Sequence, residues 1–112
     1  MTDAPAHTEW HQRALMALAS IAQANKLITY AELAETAAIP GPHRINKLTI
    51  WLEDLIAEDH AAGAPIRAAR VISRSRGGLP APGFFIACRD LGFYDGPNDG
   101  PHAVSFHLNL LR

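Results

Sequence analysis

Three observations predict a mainly helical chain that carries a small β-sheet, an α+β architecture. Two long apolar stripes recur at helical spacing, a short Gly/Pro break precedes the second, and a β-branched, arginine-rich segment then runs into a glycine turn. The chain has 112 residues, 48% of them hydrophobic and 19% charged. That is the size and composition of one globular domain, and it excludes disordered, collagen-like and coiled-coil chains.

The elements follow in order. Residues 1–7 read as a loose arm, and residues 8–112 as a single domain. Thr8 is a plausible N-cap, and Trp10, Ala14, Leu18 and Ile21 repeat on one helical face, giving a first helix that ends near Asn25. Thr29-Tyr30-Ala31-Glu32 is a capping box, so a short second helix runs from there to about Ala37. Ile39-Pro40-Gly41-Pro42 must interrupt it, because proline disfavours helical geometry in the residue before it. Pro42 suits the first turn of a third helix, whose stripe of Ile45, Leu48, Leu52, Leu55 and Ile56 continues to Ala62 before Gly63.

Beyond Pro65 the pattern changes. Ile66 to Arg74 reads as a strand, and Ser75-Arg76-Gly77-Gly78 as a turn. Phe84 to Leu91 fits either a return strand or a short helix closed by Gly92, and Gly92 to Pro101 is a loop. Val104, Phe106, Leu108 and Leu110 alternate with polar residues, so a strand is preferred there, although Ala103, Phe106 and Leu110 also share a helical face. Helices joined by a tight Gly/Pro turn and followed by a strand and a basic turn are the order of a winged helix-turn-helix.

Charge is unevenly placed. The total is −1, but residues 1–62 carry eight acidic and four basic side chains, whereas residues 63–89 carry Arg67, Arg70, Arg74, Arg76 and Arg89 and no carboxylate. On a wing, Arg74 and Arg76 would flank the turn and pair with phosphate oxygens, Arg67 and Arg70 on the strand before it are further candidate contacts, and Gly77 and Gly78 would let the backbone approach a duplex. His43, Arg44, Asn46 and Lys47 stand at the start of the third helix, where amides and the helix dipole also favour phosphate, and they include side-chain types that read base edges. The plainer alternative is a solvated edge and an ordinary exposed helix face. Glu53, Asp54, Glu58 and Asp59, later in the same helix, would repel phosphate, so that half must point away or pack elsewhere. With only ~4–6 phosphate contacts available, a homodimer would double the footprint.

From Ile28 to about Gly83 the sequence resembles the winged-helix domain of the alkylguanine DNA alkyltransferases and their alkyltransferase-like relatives. The residues that carry the likeness are Ile28-Thr29-Tyr30-Ala31-Glu32-Leu33-Ala34, Pro40-Gly41-Pro42-His43-Arg44, and Pro65 to Ile72 followed by Gly77-Gly78-Leu79. The resemblance implies that Tyr30 sits beside a phosphate and that Arg44 replaces a flipped base in the stack. Ile66 stands where the family has its cysteine, and no histidine follows, so methyl transfer is not expected. Gly78 to Phe85 is similar to a segment of small uncharacterised bacterial proteins, which adds no function; its paired phenylalanines read as core anchors.

Catalytic signatures are sparse. Cys88, the one cysteine, follows Phe84-Phe85-Ile86-Ala87 and reads as a packing residue without a local activating group, and it cannot form an internal disulfide. His7, His11, His102 and His107 lack metal-ligand spacing, and no phosphate-cradling glycine loop is present. Trp51 lies off the main stripe and reads as core, with a partner surface as the alternative. No cofactor and no metal are expected. The first residues lack a basic leader, and the apolar run Ala14–Ala19 is far short of the ~18 residues that span a bilayer, so a cytoplasmic chain without membrane contact is expected. The sequence thus points to a non-catalytic protein that binds nucleic acid, duplex DNA in the first instance, with a winged-helix protein–protein module as the alternative.

Overall fold

Helical spacing in the first half becomes helix with small shifts of boundary. The computed structural model describes residues 6–112, in which α1 spans Ala6–Gln23, β1 Ile28–Thr29, α2 Tyr30–Thr36, α3 Arg44–Ala62, β2 Val71–Ile72, α4 Pro82–Asp90 and α5 Gly100–Leu110. Residues 1–5 of the expected arm lie outside the described residues. Thr8 is inside α1 rather than capping it. The α3 helix begins at Arg44, after His43 in the left-handed conformation, so Pro42 precedes the first turn instead of forming it. Gly63 closes α3 with φ 66°, a conformation open to a residue without Cβ.

The capping box forms as the sequence dictates. The Thr29 hydroxyl accepts from the Glu32 amide at 3.1 Å, and the Glu32 carboxylate accepts from the Thr29 amide at 3.0 Å. One core gathers the predicted stripes: Trp10, Ala14 and Leu18 of α1, Leu33 and Ala34 of α2, and Leu48, Leu52, Leu55 and Ile56 of α3. Phe84, Phe85 and Cys88 of α4 complete it.

The second half departs from the sequence reading. The expected strand from Ile66 to Arg74 is a 3-10 turn at Arg67–Arg70, the two residues of β2, and a second 3-10 turn at Arg74–Arg76. β2 pairs in parallel with β1, Ile28 against Val71 and Thr29 against Ile72. β1 cannot extend, because Thr29 already caps α2, so β2 has no ladder partner beyond Ile72. The turn after it is instead closed on itself by the Ser73 amide, which donates to the Leu79 carbonyl at 2.8 Å. The segment left open at 84–91 is helical, started by Pro82, whose fixed φ suits a first turn. The strand preferred for Val104–Leu110 is corrected to helix α5. No strand among the described residues neighbours it to satisfy a ladder, and the alternative face wins: Ala103 and His107 are buried, with Phe106 and Leu110 packed against the core. Among the described residues there is no antiparallel hairpin, so the wing expected from the sequence is not formed, and a short irregular turn follows β2.

A buried ion pair fixes the start of this second half to α3. Asp59 is 4% exposed, and its carboxylate accepts from the Arg67 amide at 3.0 Å and from the Arg67 guanidinium at 2.7 and 3.1 Å. Asp59 therefore reverses the chain within eight residues. Replacing it by Ala leaves the Arg67 amide and guanidinium unmatched; we expect a loss of about 2–4 kcal/mol, below the range for a fully buried pair because the Arg67 side chain is 39% exposed. Urea unfolding of Asp59→Ala measures this, and an unchanged midpoint would mean that the pair does not hold the segment.

Candidate nucleic-acid interface

The parallel pair brings the start of α2 beside the turn after β2, and α3 enters from the side. Together they enclose an open groove of about 760 Å³, lined by Thr29, Tyr30, Glu32 and Glu35 from the first strand and α2, Arg44 and Ile45 from α3, and Ile72, Ser73, Arg74 and Ser75 from β2 and its turn. Arg44 and Arg74, thirty residues apart in sequence, thus share one wall system. Arg44 donates one bond to the Ala34 carbonyl near the end of α2 at 3.1 Å, which orients the fork and leaves four of its five N–H groups. The Arg74 side chain is 82% exposed and stands 3.7 Å from the Glu32 carboxylate. Such an exposed pair contributes little and exchanges readily for another anion.

Two features temper the positive field. Glu32 and Glu35 lie in the same groove. The Glu32 carboxyl is held below its ordinary range, first by the amide of Thr29, then by the Thr29 hydroxyl, with Arg74 a smaller influence, so it stays charged at neutral pH. Tyr30 contributes its ring to the groove, but its hydroxyl accepts from the Ala81 amide at 3.0 Å, and burial pushes its pKa up. It is a neutral, fixed hydroxyl.

The other residues singled out from the sequence divide in two. His43 and Asn46 are exposed at the start of α3, beside Arg44. Lys47 faces elsewhere: its ammonium donates to the Pro40 carbonyl at 2.9 Å, and it lines a separate cleft with Trp10 and Trp51. Arg67 is committed to Asp59. Arg70 donates to the Asn25 side chain and the Lys26 carbonyl at 3.1 and 3.2 Å, and reaches the Leu111 carbonyl, joining the ends of α1 and α5. Arg76 donates to the carbonyls of Pro80 and Asn98, and Arg89 to the Gly96 carbonyl and the Asn98 side chain. Four of the five arginines between residues 63 and 89 therefore tie down Asp59 or loop carbonyls, and Arg74 remains at the surface.

Sequence reasoning missed Glu32, Glu35, Ile45, Ser73 and Ser75 as groove residues. The capping box contained a signal for Glu32, since it fixes that carboxylate on the first turn of α2, next to Tyr30. Nothing in the sequence marked Ser73 and Ser75.

The one cysteine lies away from the groove. Cys88 is fully buried, and burial pushes its thiol up to about 12, so it is not a thiolate at neutral pH. No cluster of three or more His, Cys, Asp or Glu able to hold a metal occurs among the described residues, and no helix among them is long and apolar enough to cross a membrane. Compared with known proteins, the chain matches no family model, and no curated protein or solved structure is significantly similar to it.

His107 titrates against the fold. Its Nε2 lies 2.7 Å from the Ala69 carbonyl, so the neutral ring donates there, and burial lowers its pKa below the ordinary value of 6.5 while that hydrogen bond opposes the shift. The unfolded chain consequently binds this proton at a pH where the folded chain does not, so the stabilising contribution is complete above about pH 6.5 and is lost as pH falls through the depressed folded value. Melting temperature should drop on acidification from pH ~7 to ~5, and His107→Gln should reduce that drop; an equal drop in both proteins would assign it to other groups.

Proposed function

We propose that this chain is a non-catalytic nucleic-acid-binding protein of the helix-turn-helix kind, with duplex DNA as its ligand. Arg44 and Arg74 on two sides of one open groove are the observation that carries the reading. The α2–turn–α3 pair supplies the helix-turn-helix, and the closed turn from Ser73 to Leu79 stands in the place of a wing. In this reading α3 lies with its first turn toward the duplex, where His43, Arg44 and Asn46 reach base edges, while Arg74 and the hydroxyls of Ser73 and Ser75 contact the backbone. Lys47, Arg67, Arg70 and Arg76 are outside this footprint, so the number of phosphate contacts is small and binding is weak and strongly dependent on salt. The carboxylates of Glu32 and Glu35 favour a second reading, a protein module that recognises a peptide of mixed charge in the same groove.

Fluorescence anisotropy with a labelled duplex at two salt concentrations tests the first reading. Affinity should fall as salt rises, and Arg74→Ala should weaken all sequences by a similar factor, about three- to tenfold, and flatten the salt slope by about one unit. Arg44→Ala should alter the preference between sequences. Glu32→Gln keeps the capping box, since Gln can fill the same role, and removes the opposing charge; it should tighten binding severalfold. Flat titrations at low salt, or no gain from Glu32→Gln, would transfer the groove to the protein-module reading.

A further inference from the structure

The face of α3 turned away from the groove carries a pattern that nucleic-acid binding leaves unused. Lys47, Ile50, Trp51 and Asp54 line a shallow cleft of about 490 Å³ with Trp10 and His11 of α1. Positions 47, 50, 51 and 54 follow the i, i+3, i+4, i+7 spacing, one stripe along a helix. Ile50 is 54% exposed at the centre of that stripe. The Trp51 indole beside it is held in place, edge-on to Trp10 at 5.5 Å and stacked on His11 at 5.6 Å between ring centroids. A rigid aromatic next to an exposed branched aliphatic chain is an apolar centre with little side-chain entropy left to lose on contact.

The charges around that centre say what covers it. Lys47 and Asp54 are equidistant from the midpoint between Ile50 and Trp51, one on each side. A second copy of α3 laid antiparallel across the stripe, with a two-fold axis through that midpoint, places Lys47 against Asp54 of the second copy and Asp54 against its Lys47. Ile50 then meets Trp51 of the second copy, twice. A parallel arrangement would oppose lysine to lysine and carboxylate to carboxylate. We propose that this face is the interface of an antiparallel, two-fold homodimer, a self-complementary patch of the kind closed dimers use. The single bond from Lys47 to the Pro40 carbonyl leaves two ammonium donors for the second copy. Groove and interface occupy different sides of α3, so a dimer presents two grooves.

Sedimentation equilibrium of the full chain without nucleic acid, taken up to its solubility limit, tests this. A monomer–dimer equilibrium is expected. Lys47→Glu or Asp54→Lys alone turns both cross-pairs repulsive and should raise the dimer Kd by ~tenfold or more. The combined exchange Lys47→Glu with Asp54→Lys restores opposite charges and should return Kd to within a few-fold of the natural chain, while Ile50→Arg should leave monomer. Circular dichroism identifies any variant that fails to fold, and Asp54→Lys, at an exposed position, suffices by itself. A monomer at every concentration overturns the proposal, as does a dimer indifferent to Asp54→Lys and Ile50→Arg. Arg44→Ala should dimerise as the natural chain does, which separates failure here from failure of the nucleic-acid reading.

Discussion

The pairing of Ile28–Thr29 with Val71–Ile72 is the constraint on which the geometry of this chain depends. Two residues on each side are a small sheet, and by hydrogen bonding alone it would be marginal. Its strength comes from what each strand continues into. Thr29 is at once the last residue of β1 and the cap of α2, so the ladder and the helix share an anchor. Val71 is fully buried and fixes the other strand in the core, directly after a 3-10 turn that Asp59 holds to the end of α3. Because the strands are parallel, both lead out in the same direction, and the first turn of α2 and the turn bearing Arg74 emerge side by side. The groove is the consequence of that direction.

The arginines show how a local excess of positive charge can be structural. Residues 63–89 pack against helix ends and a loop whose carbonyl groups, those of Lys26, Gly96, Asn98 and Leu111, point toward this segment. A guanidinium brings several donors on a long stem and can satisfy such carbonyls from a distance, whereas backbone amides are bound to fixed positions. Arg70, Arg76 and Arg89 do this for the ends of α1 and α5 and for the loop between α4 and α5. Their charge still contributes to the field at the surface, but their geometry is set by the fold and not by a ligand. Arg74 differs because it stands on the turn's outer side, where Glu32 approaches it.

Division of labour along α3 follows from its length and from where the core holds it. Leu48, Leu52, Leu55 and Ile56 bury one side, which leaves two exposed flanks. One flank, at Arg44 and Ile45, faces the groove; the other, at Lys47, Ile50, Trp51 and Asp54, faces solvent beside α1. A basic beginning and an acidic end on the same helix make it unsuited to lie along a polyanion over its whole length. Such a helix is suited to meet an anion at its first turn, where the basic residues stand.

Apart from the cap expected at Thr8 and the first turn expected at Pro42, the sequence by itself determined what local rules govern: the apolar stripes of α1 and α3, the Thr29 capping box, the Gly/Pro break, the stop at Gly63, and the burial of Cys88. Each depends on residues within about one or two helical turns of one another. The tertiary structure decided the rest. Whether Val104–Leu110 forms a strand depended on the presence of a neighbour to pair with, and its alternation fits a helix packed on Phe85 almost as well. Whether Ile66–Arg74 extends beyond two strand residues depended on β1, more than thirty residues earlier, being stopped by its own cap. The roles of the arginines depended on carbonyls and a carboxylate brought to them by chain reversal, because a guanidinium declares its partner only when the fold has put one within reach.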